Sequence, residues 1–188
     1  NKYSSNMVLH AFQDVVNKFN ITENLIKSFF ESMRMDLTDR SHNEESYKKY
    51  IFGSAEVVGL MCLHIFTNGD KDDFNALEKP AKRLGSAFQK VNFLRDISED
   101  YQDKGRSYFP NLDLNKKLNE VDKKIIIKDL EDDFSAAYLG IKKLTMTCRF
   151  GVTMDYKYYL QLLLKIKKTS PEKIISTRIR ISNLSKLL

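Results

Sequence analysis

The sequence predicts an all-α protein of one domain, and three observations indicate that class. Glycine and proline, the residues that interrupt helices, number only 7 and 3 among 188 residues. Lysine, leucine, glutamate and isoleucine are abundant, a composition that favours long helices over a sheet-rich fold. Apolar residues recur every three or four positions along most of the chain, as in helices with one buried face. The length is sufficient for one domain with a substantial core.

Four predicted helices cover the first half of the chain. The first occupies residues 6–19, where apolar residues keep helical spacing: Val8, Phe12, Val15, Val16 and Phe19. The second occupies residues 22–35, and residues 36–43 form a polar connection. The third occupies residues 44–66, and its stretch YIFGSAEVVGLM is apolar on nearly all sides, which predicts a central position. A turn at 68–70 leads into a long fourth helix over 72–101.

The second half is predicted to contain a loop and three further helices. Residues 105–110 (GRSYFP) break the helical pattern and form the loop. The helices cover residues 118–144, 154–168 and 171–188. Pro171 suits a first helical turn, because its missing N–H would have no helical partner there.

The charge balance narrows the classes of partner. The formal net charge is +6, which suits an anionic partner such as a phosphate, a nucleic acid or an acidic lipid. The lysines are scattered rather than aligned in one stripe, and no helix-turn-helix pattern is present, so we expect no nucleic-acid binding. The basic helices permit contact with a membrane surface.

The cysteines and the apolar runs indicate a cytoplasmic protein. Cys62 and Cys148 are far apart and form no CxxC pattern, so we expect two buried thiols in a reducing compartment. The sequence has no signal-peptide pattern. No apolar run reaches about 18 residues, so no transmembrane helix is predicted.

The most informative segment is residues 89–110, QKVNFLRDISEDYQDKGRSYFP. Asn92, Asp96 and Asp100 are spaced four residues apart, which places them on one face of a helix. Gln89 lies on the same side, nearly two turns before Asp96. Gly85 lies one turn earlier still, where we expect the missing side chain to admit a ligand.

Paired carboxylates of this kind suit a magnesium site. Two carboxylates one turn apart repel by a few tenths of a kcal/mol, a cost that a bound cation removes. Mg²⁺ prefers hard oxygen ligands and commonly bridges carboxylates to substrate phosphates. Arg95 and Arg106 are near in sequence and are suited to hold diphosphate oxygens.

Spacing alone is weak evidence, because most acidic stretches are solvated helix surfaces. Asp129 and Asp133 have the same four-residue spacing, yet they lie among lysines and lack an Asn or Gln upstream on their face. We interpret that second pair as surface.

The longer string is more specific. Q-x-x-N-x-x-R-D-x-x-E-D, followed by G-R and Y-F-P, is similar to the second aspartate-rich motif of the phytoene/squalene synthase family. Residues 33–37 (MRMDL), Tyr50 with residues 53–61, residues 158–160 and residues 178–186 resemble other segments of that family. The resemblance covers nearly the whole chain and is closest to bacterial phytoene synthases.

The resemblance implies a fold and a set of site residues. The fold is an isoprenoid (terpenoid) synthase-like helical bundle around a central cavity. Asn92, Asp96 and Asp100 match the Mg²⁺ ligands, with both aspartates catalytic, and Tyr50 matches a catalytic tyrosine in the pocket. Five further side chains match substrate-binding positions: Gln89, Arg95, Arg106, Tyr159 and Arg178. The choice of Tyr159 over Tyr156 and Tyr158 stays open.

The resemblance also implies a reaction. Family members join two prenyl diphosphates head to head, and the nearest match implies two geranylgeranyl diphosphates giving phytoene through prephytoene diphosphate, in carotenoid biosynthesis. An alternative is squalene or dehydrosqualene synthesis from farnesyl diphosphate. A second alternative is a non-catalytic relative with an assembly role, and the intact Asn92, Asp96 and Asp100 argue against it.

One departure from the family pattern concerns its first aspartate-rich motif. Nothing before Met33 supplies it, since Asp14 is the only aspartate there and has no acidic partner four residues on. We therefore expect residues 1–188 to be the C-terminal portion of a single head-to-head synthase domain and to be inactive alone. We also expect uncovered apolar helix faces that favour self-association.

Overall fold

The computed structural model describes residues 3–39, 41–104, 108–110 and 118–181. Within these ranges the chain is helical and contains no β-strand. A π-helical segment, Phe52–Glu56, lies between the third and fourth helices. The α-helices are α1 (Met7–Lys18), α2 (Glu23–Thr38), α3 (Glu44–Ile51), α4 (Val57–Phe66), α5 (Lys71–Lys104), α6 (Glu120–Ile141), α7 (Met146–Lys168) and α8 (Pro171–Ser176).

The predicted all-α class is confirmed, and most predicted helices agree with the observed ones within a few residues. Two helices differ from their predicted bounds. α7 begins at Met146 rather than at 154, because Gly151 is accommodated in the helix interior instead of interrupting it. α8 ends at Ser176 rather than continuing, because the following residues run extended and Ile179 N donates to the Arg95 carbonyl oxygen at 3.4 Å.

The central helix is continuous from Glu44 to Phe66 through α3, the π segment and α4. It begins with a capping box, in which the side chains of Asn43 and Ser46 each bond the other residue's backbone N–H. Gly53, in the π segment, lies so close to α2 that a Cβ would overlap the Ser28 carbonyl oxygen. By length and composition alone this helix resembles a membrane span, but its apolar side chains contribute to the core.

The long helix α5 lies against the central helix, α6, α7 and α8 and organises the core. The core has one main cluster of buried side chains, each of which contributes roughly 1.5–3 kcal/mol of burial free energy. Its largest fully buried members are Val91, Leu94, Leu130, Phe134, Leu162, Leu163, Ile166 and Ile174.

A buried ionic network joins α5 to α6 and overturns our interpretation of the second aspartate pair. Asp133 is fully buried rather than on the surface. Its carboxylate accepts from Arg83 at 2.5 Å, from Ser86 at 2.8 Å and from Lys90 at 2.8 Å. Asp129 is half-exposed and also pairs with Lys90. Polar side chains of α5 therefore provide the partners of both aspartates.

Candidate active site

An apolar cavity of about 280 Å³ lies between α4, α5, α6 and α7. This volume is just below the roughly 300–1,000 Å³ of typical ligand sites. The wall is mostly aliphatic or aromatic, which suits a hydrocarbon chain. Its members include Ala55, Val58, Leu63, Leu84, Phe88 and Ile141.

The glycines beside this cavity serve helix packing first. A Cβ at Gly85 would lie 2.5 Å from the Ala55 carbonyl oxygen, and one at Gly59 would lie 2.9 Å from the Ala81 carbonyl oxygen. Gly85 therefore does not simply leave room for a ligand, as we expected, because the backbone of the π segment fills the position of its missing side chain. Both glycines still contribute to the cavity wall.

The acidic motif begins one turn beyond a polar part of the cavity wall. Gln89 lies in that wall, and Asn92, Asp96 and Asp100 follow on the same face of α5. The Asn92 Oδ1 atom is buried and has no hydrogen-bond partner in the structure. Such an oxygen is costly unless a ligand, a water molecule or a cation binds it. The structure thus brings Gln89 and the three predicted metal ligands together along one helix face.

The three oxygen donors are two carboxylates and one amide. No group of three or more His, Cys, Asp or Glu side chains suited to a metal occurs in the described ranges. Asp100 is buried, and Asp96 is less than one-fifth exposed.

Two arginines hold the Asp96 carboxylate. Arg95 bonds both carboxylate oxygens, with Nε to Oδ1 at 2.9 Å and Nη2 to Oδ2 at 2.5 Å. Arg178, in the extended segment after α8, places Nε 2.9 Å from Asp96 Oδ1 and Nη1 2.9 Å from Glu99 Oε2. The structure thus gathers two of the predicted substrate-binding arginines at the motif. Arg106 lies outside the described residues.

The tyrosine cluster of α7 packs behind the cavity wall. Tyr159 stacks on Phe88 with ring centroids 4.0 Å apart and planes 16° apart, and Phe88 lines the cavity. Tyr158 packs edge-on against Tyr159. Tyr156 instead packs against Phe134 in the core. Tyr159 is therefore one ring removed from the cavity, and its role as a substrate contact stays a prediction.

Tyr50 lies in a separate aromatic cluster rather than in the cavity wall. It is buried, and its hydroxyl donates to both Asp36 oxygens, at 3.0 and 3.1 Å. Burial, followed by the neighbouring Tyr108 and Asp36, raises the pKa of Tyr50. The ring lies 5.9 Å from that of Phe93, the residue after Asn92. Tyr50 therefore retains its proton and contacts the motif through Phe93.

Two residues of this cluster, Asp36 and His42, were missed as site candidates from the sequence. Asp36 accepts the tyrosine hydroxyls, Tyr108 stacks on Phe93, and His42 stacks on Tyr108. Burial lowers the pKa of His42, although Asp39 and Asp36 oppose the shift. The available signal was the MRMDL stretch, which resembles the family but indicates no role for its aspartate.

The chain matches one protein-family model and several curated relatives. Residues 1–185 match the family model for squalene/phytoene synthase. The 4,4'-diapophytoene synthase of Staphylococcus haemolyticus is 28% identical over 73% of this chain and 46% of its own length. The chloroplastic phytoene synthase of an Oncidium hybrid cultivar is 29% identical over 84% of this chain and 42% of its own length. The chain thus spans about half the length of these relatives.

A solved structure has the same fold. The squalene synthase HpnC from Alicyclobacillus acidocaldarius superposes with a TM-score of 0.70 at 18% identity, covering 84% of this chain and 64% of that one. The likeness confirms the helical isoprenoid synthase-like fold, which surrounds the cavity beside the aspartate motif. The match to the family model extends over nearly every residue. The chain therefore belongs to the squalene/phytoene synthase family.

Proposed function

We propose that this protein contributes the second aspartate-rich motif of an Mg²⁺-dependent enzyme that condenses two prenyl diphosphates head to head. The observation that carries the proposal is the placement of Asn92, Asp96 and Asp100 on one helix face, directly beyond an apolar cavity. A prenyl diphosphate has a charged end, which suits the motif, and a hydrocarbon chain, which suits the cavity. The family relationship supports this substrate class.

The donor set of the motif fits magnesium. Mg²⁺ takes oxygen ligands and binds through one or two carboxylates together with substrate phosphates. Asp96 and Asp100 would supply the carboxylates, and the unpartnered Asn92 Oδ1 would supply a third oxygen. When bound there, the ion would stabilise negative charge on the departing diphosphate.

The chain's own residues would bind and shield the substrate. Arg95 and Arg178 carry guanidinium groups at the motif and are suited to hold diphosphate oxygens in forked hydrogen bonds. The apolar cavity would exclude water from an allylic cation. Phe88, in the cavity wall and stacked on Tyr159, presents an aromatic ring that would stabilise positive charge.

Two classes of product are candidates, and each is the product class of at least one relative. We propose phytoene from two geranylgeranyl diphosphates, in carotenoid biosynthesis, because several of the relatives are phytoene synthases. Squalene-type products from farnesyl diphosphate are the second candidate, because another relative is a 4,4'-diapophytoene synthase. Product extraction after incubation with each diphosphate would separate the two.

The chain also presents surfaces for association. Large apolar side chains of α1 are exposed: Met7, Val8, Leu9 and Phe12. Exposed apolar faces of this kind favour contact with another protein surface. We propose that the 188-residue chain self-associates through such faces, which sedimentation velocity would detect as a concentration-dependent species. A cytoplasmic location, with peripheral membrane contact, stays a proposal.

The test of the proposed function is release of pyrophosphate. The assay uses geranylgeranyl or farnesyl diphosphate, with Mg²⁺ and with EDTA, on the 188-residue chain and on the gene's entire reading frame. We expect Mg²⁺-dependent release from the entire reading frame, abolished by Asp96→Asn and retained in Asp132→Asn. We expect none from the 188 residues alone, because they contain one such motif. No release from the entire reading frame would refute the enzyme assignment and favour a non-catalytic relative.

A further inference from the structure

Asp36 holds two tyrosine hydroxyls that come from different parts of the chain. It lies in the last turn of α2, and Tyr50 on α3 donates to its Oδ1 at 3.0 Å and to its Oδ2 at 3.1 Å. Tyr108 donates to Oδ1 at 3.4 Å, from the short described segment that follows α5. One carboxylate thus ties α2, α3 and the chain beyond the aspartate motif to a single point.

The rings that carry these hydroxyls pack on the motif helix. Tyr108 lies flat on Phe93, with ring centroids 4.1 Å apart and planes 7° apart. Tyr50 contacts both rings, at 5.9 Å from Phe93 and 5.3 Å from Tyr108. His42 stacks on Tyr108 with ring centroids 5.7 Å apart. Phe93 directly follows Asn92 in α5, so this cluster packs on the motif helix beside Asn92.

A carboxylate is the acceptor that makes this arrangement rigid. A hydrogen bond from a hydroxyl to an ionised carboxylate is roughly twice as strong as one between neutral groups. Tyr50 is only 3% exposed, so its hydroxyl depends on this acceptor. Asn at position 36 would keep an amide oxygen as an acceptor but would lose the negative charge that strengthens the bond.

We propose that Asp36 is a positioning residue for the aspartate motif, acting through Tyr50 and Tyr108 on Phe93 and so on Asn92. The inference rests on the proposed function in taking Asn92 as a metal ligand. The structural part of the inference does not depend on a metal: the Asp36 carboxylate fixes where the Asn92 side chain lies. Asp36 is not among the described residues that line the cavity.

The test compares Asp36→Asn with Asp132→Asn, which removes an exposed carboxylate of α6 from its pair with Lys128. Chain labelled with ¹³C at the tyrosine Cζ atoms reports hydroxyl hydrogen bonding by NMR, and Tyr50→Phe and Tyr108→Phe assign two of the nine tyrosines. The Asn92 side-chain amide signal, assigned with Asn92→Ala, reports its position. Mn²⁺ affinity, measured by electron paramagnetic resonance, reports the metal site.

In Asp36→Asn we expect the Tyr50 and Tyr108 Cζ signals and the Asn92 amide signal to shift. We expect Mn²⁺ affinity to fall by about tenfold, as for other residues that orient metal ligands. Asp132→Asn should change none of these. Tyr108→Phe, which leaves the Tyr50 bond in place, should move the Asn92 signal in the same direction by less.

Shifted tyrosine signals with an unmoved Asn92 signal would overturn the inference, since Asp36 would then be a local structural residue. If Asp36→Asn does not fold, the Tyr108→Phe result decides in the same way. If the wild-type chain binds no Mn²⁺, the proposed metal site fails, and the inference is still judged by whether the Asn92 amide signal follows the Asp36 substitution.

Discussion

At the scale of single residues, the Asp96 carboxylate lies between two guanidinium groups. Arg95 and Arg178 together bring two positive charges to it, the same charge that one Mg²⁺ would bring. Arg95 is beside Asp96 in the sequence, whereas Arg178 is 82 positions later and was assigned to the site only through the family resemblance. A metal that binds Asp96 must therefore compete with guanidinium groups that are already in place.

Competition between the guanidinium groups and a metal for Asp96 predicts that Arg178→Gln strengthens metal binding. Loss of the guanidinium should tighten Mn²⁺ binding by about two- to fivefold, the equivalent of a half-exposed ion pair of roughly 0.5–1 kcal/mol. The same substitution should weaken binding of inorganic pyrophosphate in the presence of metal. Electron paramagnetic resonance and titration calorimetry measure the two effects.

Arg180→Gln is the matched control for Arg178→Gln. It removes the same charge two positions away, from an exposed side chain, and should leave Mn²⁺ affinity unchanged. Unchanged or weaker Mn²⁺ binding in Arg178→Gln would contradict competition at Asp96.

At the scale of helices, close backbone approaches position the site. α5 crosses the π segment at Gly85, where a Cβ would lie 2.5 Å from the Ala55 carbonyl oxygen. The missing side chain of a glycine can make space for a ligand or for the backbone of a neighbouring helix. The sequence alone did not show which of the two applies at Gly85. The helix spacing of Gln89, Asn92 and Asp96 was predicted correctly, because it depends on α5 alone. What faces that helix depends on the packing of other helices.

The crossing predicts opposite effects for two glycine substitutions. Gly85→Ala should destabilise the fold by about 1–3 kcal/mol, because the added methyl must displace backbone rather than a flexible side chain. Gly151→Ala, in the interior of α7 with nothing within 4 Å, should stabilise it by about 0.5–1 kcal/mol through better helix propensity. Urea unfolding followed by circular dichroism measures both. Equal changes in the free energy of unfolding for the two substitutions would be inconsistent with the close approach of α5 to the π segment at Gly85.

The pairing of α5 with α6 depends on Asp133 in a way that the sequence concealed. Asp132 and Asp133 are adjacent and both lie among lysines, yet the Asp132 side chain is 60% exposed and that of Asp133 is 0% exposed. The packing of the helix decides which of them faces inward. The partners Arg83 and Lys90 lie 50 and 43 positions away, beyond the reach of local patterns.

Asp133→Asn should lower the free energy of unfolding by about 3 kcal/mol or more, because it leaves Arg83 and Lys90 without their shared carboxylate. Asp132→Asn should change it by less than about 0.5 kcal/mol. Thermal and urea unfolding of the two variants measure the difference. A loss in Asp133→Asn no larger than that in Asp132→Asn would mean that the network is not needed for stability.

At the scale of the whole molecule, an apolar cavity and an acidic motif share one helix, α5. The all-α class and the family were predictable, because helix periodicity and the Q-x-x-N-x-x-R-D string are local features of the sequence. The separate Tyr50 cluster was not predictable, since it requires α2, α3 and α5 to meet. The exposed apolar residues of α1, including Met7 at 86% exposure, are a further property that only the assembled structure reveals.

The most direct measurement of the central claim is the binding of a non-ionising thio analogue of farnesyl diphosphate to this chain by calorimetry. It is made with Mg²⁺, with EDTA, and with Asp96→Asn/Asp100→Asn and Asp132→Asn variants. We predict that binding weakens at least about tenfold, or 1.4 kcal/mol, when either Mg²⁺ or the two motif carboxylates are removed, and is unchanged in Asp132→Asn. The same affinity with and without Mg²⁺, or in the doubly substituted variant, would contradict the assignment of this helix face as the magnesium-diphosphate site.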